Sequence, residues 1–66
     1  MTDTGRLRTL MKAQGVTAAK AADFLGISPA SFRRRLQNGR FDSDEMLSLA
    51  ALLQMRDPAS IFFAPD

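Results

Sequence analysis

The chain contains neither cysteine nor histidine, so no disulfide framework and no thiolate or imidazole metal site can hold it together, and its fold must rest on packing alone. That condition is severe at 66 residues, because a domain of this size buries only about 60% of the surface its unfolded chain exposes. A single domain over residues 1 to 66 is expected, built from short helices with local contacts, and dimerisation is a common further source of stability. Composition agrees: 45% hydrophobic and 24% charged residues are globular proportions, too apolar for a disordered tail. The same two absences remove the serine-histidine and cysteine-histidine pairs of nucleophilic catalysis. The acids Asp42, Asp44 and Glu45 cluster where a helix N-terminus favours them, with no pocket-building elements beside them. The chain is therefore not expected to be an enzyme, and no cofactor, metal or small-molecule ligand is expected.

Turn signals recur every ten to fifteen residues and predict an all-α bundle of about five short helices. A first helix, capped by Thr4, carries Leu7, Leu10 and Met11 on one stripe until Gly15 stops it. Thr17 caps a second, Ala18 to Leu25, with Ala21, Ala22 and Leu25 on one face and Gly26 at its end. Ser28-Pro29 opens a third, because serine accepts from free first-turn amides while proline fills the first position, where no donor is missed. This helix is expected over residues 28 to 37, before the turn Asn38-Gly39. Asp42 or Ser43 caps a fourth, whose buried face is Met46, Leu49, Ala50 and Leu53. Asp57-Pro58 starts a short fifth helix through Phe62, with an edge strand over Ile61 to Phe63 as the alternative.

The longest apolar run is far short of the ~20 residues that span a bilayer, and Met1-Thr2-Asp3-Thr4 lacks the basic and apolar regions of a signal peptide. No membrane association and a cytoplasmic location are the expectations. Net charge is only +2, yet its distribution is uneven. Residues 18 to 40 carry Lys20, Arg33, Arg34, Arg35 and Arg40 against Asp23, whereas residues 41 to 66 carry Arg56 against Asp42, Asp44, Glu45, Asp57 and Asp66. A basic middle of this kind hints at a polyanion-binding face.

Helices two and three, joined by about three residues around Gly26, have the form of a helix-turn-helix, in which the second helix enters the DNA major groove. With Phe32 as origin and about 100° per residue, Leu36 falls near 40° and Pro29 near 60°. On the same scale of about 100° per residue, the far side holds Arg33 near 100°, Gln37 near 140°, Ala30 near 160° and Arg34 near 200°. No acid interrupts it. Arginine can bond guanine through two donors and glutamine can bond adenine likewise, while Ala30 and Ser31 are small enough to let the helix approach closely. Arg35 and Arg40, at the edge of this face and in the following loop, suit phosphates, as do Ser31 and Asn38; Ser28 can serve both cap and phosphate. Three successive arginines also occur as a plain solvated helix face; what favours base reading is their place on the second of two glycine-joined helices.

These residues resemble the helix-turn-helix domains of the bacteriophage repressor and Cro type. The matching run is Gly15-Val16-Thr17, Ala22, Leu25-Gly26-Ile27-Ser28, Phe32, Leu36 and Asn38-Gly39, and the later Phe41, Glu45-Met46-Leu47 and Asp57 to Phe63 extend it over nearly the whole chain. Ala18 stands where the family often has a phosphate-binding glutamine. The resemblance implies a sequence-specific transcriptional regulator, a Cro-like repressor without an effector domain, acting on DNA in a bacterial cytoplasm. It places base reading on Pro29, Ala30, Arg33 and Arg34, with Gln37 beyond them. It also implies a homodimer, at least on double-stranded operator DNA of pseudo-palindromic sequence. Ile61, Phe62 and Phe63, in the tail of residues 57 to 66, either close the core or form the dimer contact. Two alternatives stay open: a protein-binding antirepressor, modulator or antitoxin working through Met46, Phe62 and Phe63, and an excisionase-type architectural DNA binder.

Overall fold

Helix formation starts wherever a short polar side chain can take up a first-turn amide. In a computed structural model describing residues 1 to 65, this gives α1 (Thr4–Ala13), α2 (Ala18–Leu25), α3 (Pro29–Asn38), α4 (Ser43–Leu52) and α5 (Pro58–Phe62). Asp66, the last residue of the expected tail, lies outside the described residues. Thr17, Ser28 and Asp42 cap α2, α3 and α4 by accepting from the amides of Lys20, Ser31 and Glu45. The first cap differs from expectation. Asp3, not Thr4, accepts from the Arg6 amide at 3.0 Å, because its own backbone N–H is drawn out of the helix onto the Ile61 carbonyl, 2.6 Å away. Asp57 precedes α5 without a side-chain cap bond.

The ends of the longer helices share one geometry. Gly26 (φ 74°) and Gly39 (φ 66°) adopt the left-handed conformation that a Cβ disfavours, and the amides of Ile27 and Arg40 reach back to the carbonyls of Ala22 and Arg35. Gly15 does the same for α1, with Val16 bonding Met11. At the end of α4 the Met55 amide bonds the Ala50 carbonyl at 2.9 Å, but the left-handed residue is Gln54 (φ 52°), which is not a glycine. Helix α3 runs through Asn38, one residue beyond the expected end, so the turn falls on Gly39 and Arg40.

The core collects one face from every helix: Leu7, Met11, Ala21, Ala22, Phe32, Leu36, Leu49, Leu53, Ile61 and Phe62, joined by Phe41 from the α3–α4 connection. Of the expected inward residues, Leu10, Leu25, Met46 and Ala50 are only half-buried. Fully buried Ala21 and Ala22 let α2 pack closely against α3 and α4. Three rings form a row through the middle, with Phe32 and Phe41 centroids 6.0 Å apart and Phe41 and Phe62 centroids 6.1 Å apart and edge-on. The resulting radius of gyration, 10.6 Å, matches the roughly 10.8 Å expected of a folded chain this long.

The Ile61-Phe62-Phe63 segment is helix and turn, and no strand forms among the described residues. Two of the three expected dimer contacts belong to the core instead: Ile61 is 6% exposed and Phe62 2%, whereas Phe63 is 69% exposed. A helix of one and a half turns separates Ile61 and Phe62 by about 100°, narrow enough for both to face inward, and it turns Phe63 to solvent. Phe62 is likewise lost to the expected protein-binding surface, and Met46 is half-buried. Met1 reaches this segment, its ammonium donating to the Ala64 carbonyl at 3.2 Å.

Candidate nucleic-acid interface

Helix α3 is fixed from behind. Phe32 is fully buried and Leu36 nearly so, and α2 lies along the same side, reached through the connection Gly26-Ile27-Ser28. Gly26 turns the chain, half-buried Ile27 tucks beneath it, and Ser28 caps α3 with Pro29 at the first helical position. With that side occupied, the opposite side faces solvent. Ala30, Arg33, Arg34 and Gln37 are all exposed, and their spacing puts them on one stripe about 10 Å long. Pro29, also exposed, stands at the N-terminal end of the stripe.

Among the described residues, Arg33, Arg34 and Gln37 make no side-chain hydrogen bond and no ion pair; the one ion pair there joins Arg35 to Glu45. The donors of the stripe are therefore solvated, and their exchange of water for the acceptors of another molecule breaks no internal bond. A single helix, about 10–12 Å in diameter with its side chains, fits a major groove about 12 Å across. Two guanidinium groups and an amide on it can address guanine and adenine edges, and Ala30 can touch a thymine methyl.

The expected phosphate ligands divide into two groups. Asn38 and Arg40, at the C-terminal end of α3 and just beyond, are exposed and unpaired among the described residues. Ser28 and Ser31 are engaged in the cap: the Ser28 hydroxyl accepts from the Ser31 amide at 3.1 Å and donates to the Ser31 hydroxyl at 3.0 Å. Arg35 is turned away from the stripe. Its Nε lies 2.8 Å from Glu45 Oε2 and donates to Oε1 at 3.0 Å, and Nη1 makes a long 3.5 Å contact to the Ser31 carbonyl of its own helix.

Glu45 does more than its expected service as an acid in the first turn of α4. Read as a favourable charge in a first turn, it is 8% exposed and accepts from both the Asp42 amide and Arg35. The signal was present as an acid at the cap with glutamate three residues on, Asp42 and Glu45, which form a capping box. Nothing in the spacing of Arg35 pointed to its partner.

No family model, curated protein or solved structure matches this chain. No helix among the described residues is long and apolar enough to cross a membrane.

Proposed function

We propose that the chain is a sequence-specific DNA-binding transcriptional regulator of the Cro-like repressor kind, acting in the cytoplasm. Helix α3 enters the major groove and α2 crosses the backbone, the arrangement of a helix-turn-helix. Arg33 and Arg34 carry the main base contacts, supported by Pro29, Ala30 and Gln37, and Asn38 and Arg40 hold phosphates. The observation that supports this reading is the stripe Ala30, Arg33, Arg34 and Gln37: exposed, free of acids and without internal partners among the described residues. A solvated face that served only solubility would have no need of a small residue amid the cations, on the second of two helices joined at a left-handed glycine.

A homodimer on DNA completes the proposal. Phe63 is the member of the Ile61-Phe62-Phe63 segment left at the surface. Pairing there would set two copies of α3 about one DNA turn apart, ~34 Å, on a pseudo-palindromic site.

The test is selection from a random duplex pool at physiological salt, run in parallel with the Arg33→Ala/Arg34→Ala double variant. A two-fold-related motif enriched by the wild-type chain and lost in the variant is the expected result. Retention without enrichment would mean backbone binding and an architectural role. No retention would overturn the DNA reading and favour a protein partner, for which the exposed Leu47 and Phe63 are the apolar contacts on offer.

A further inference from the structure

We propose that Arg35 and Glu45 are a positioning pair that sets the rotation of α3, and so the aim of Arg33 and Arg34, and that Arg35 is not a phosphate ligand. The inference rests on the reading of α3 as the DNA-contacting helix.

Packing holds α3 from one side, through α2 and the core. Helix α3 lies along α2 but has hardly any backbone approach to α4, and it enters the core with two large side chains, Phe32 and Leu36. Apolar burial is non-directional, so it selects the buried face of the helix more sharply than the exact angle at which that face is presented. Directional restraint has to come from polar bonds. Among the described residues, the Arg35 to Glu45 contact is the only side-chain hydrogen bond or ion pair from α3 to another helix. Glu45 is itself tied to the backbone: its Oε1 accepts from the Asp42 amide at 3.0 Å while the Asp42 side chain accepts from the Glu45 amide at 2.7 Å. The capping box thus anchors the carboxylate to the backbone of α4, and the carboxylate holds the guanidinium. Arg35 directly follows Arg33 and Arg34 on a rigid helix, so a roll that releases Arg35 turns both by the same angle. A reading helix displaced by about 1 Å loses much of its contact energy.

The test uses Arg35→Ala, Glu45→Gln and the double variant, each confirmed folded by circular dichroism at the binding temperature. Glutamine at position 45 keeps an acceptor for the Asp42 amide, so the start of α4 survives. Affinity is measured for a selected operator and for random duplex across a salt series. The expected result is a roughly tenfold loss on the operator in each single variant, with the double variant no worse than the weaker single one, the non-additivity of a coupled pair. Random-duplex affinity and the salt slope should not change.

A phosphate role makes the opposite forecast: Arg35→Ala would weaken operator and random duplex alike and flatten the salt slope by about 0.9, while Glu45→Gln, by releasing Arg35, would leave binding intact or tighten it. That pattern overturns the proposal. A wild-type chain that selects no DNA would defeat the functional reading separately, and the pair is then judged by amide chemical shifts. Shifts from Ala30 to Gln37 that move in Glu45→Gln support a helix held by this pair, and unmoved shifts refute it.

Discussion

The side-chain amide of Gln14 donates to the main-chain carbonyl of Leu53 at 2.7 Å, so the residue that ends α1 closes the end of α4, thirty-nine positions away. Leu53 is fully buried, and a carbonyl at a helix C-terminus has no partner within its own helix. Gln14→Ala leaves that oxygen unsatisfied. A loss of about 1 kcal/mol is expected, which for a domain of this size lowers Tm by about 4–8 °C. Thermal melts followed by circular dichroism measure it, and an unchanged Tm would show that water replaces the amide without loss.

Gln54 offers the reverse experiment. It holds the left-handed position at the end of α4 that glycine holds after α1, α2 and α3, and a side chain there costs on the order of 1 kcal/mol. Gln54→Gly should therefore raise stability by roughly 0.5 kcal/mol once the greater freedom of glycine in the unfolded chain is subtracted. Gly26→Ala, at φ 74° with open space where the new Cβ would stand, should destabilise through backbone conformation alone. Denaturant titration of both variants checks the opposed signs.

Ala22 is fully buried where α2 meets its neighbours. Ala22→Leu adds volume to a closed space and is expected to cost about 1–3 kcal/mol, read as a lower denaturation midpoint at unchanged slope. Ala19, exposed on the same helix, is the matching control, and Ala19→Leu should leave the midpoint nearly unmoved.

The stripe on α3 predicts a separation of binding from stability. Arg33→Ala and Arg34→Ala remove exposed side chains without internal partners among the described residues, so Tm should move by no more than about 0.5 kcal/mol equivalent. Each should reduce operator affinity by about 1–3 kcal/mol and relax the preference at one base. Arg40→Ala should weaken all duplexes equally and lower the salt slope by about 0.9. Fluorescence anisotropy across a salt series distinguishes the two behaviours.

Phe63→Ser tests self-association. The side chain is 69% exposed, so the fold should persist while any dimer dissociates at higher concentration than in the wild type. Sedimentation velocity with and without operator DNA reads the shift; an unchanged profile would place the dimer contact elsewhere.

Local chemistry made much of this fold legible in the sequence. Caps at Thr17, Ser28 and Asp42 and stops at Gly15, Gly26 and Gly39 fall where the residue types demand, because caps and left-handed turns depend on neighbours within a few positions. What was not legible depends on residues far away along the chain. Asp3 displaced Thr4 as a cap because Ile61, at the far end of the chain, holds its amide. Gln54 carries no turn signal of its own and is held left-handed by the closure of α4. Arg35 was read from its angle on α3, and the partner that turned it away belongs to α4. Phe62 and Phe63 are chemically identical neighbours, and only packing tells the buried one from the free one.

The row of rings from Phe32 through Phe41 to Phe62 has a consequence for how the chain is made. The ring that backs α3 is completed by one roughly thirty residues further along, so a nascent chain that has not yet reached Phe62 holds its middle helices against an unfilled space. At about 5–20 residues added per second, and with helices forming in microseconds or less, the early segments wait for seconds as loose helices before Phe62 is added. The core therefore closes only once Phe62 is available to it, and the basic helix acquires its fixed orientation only then.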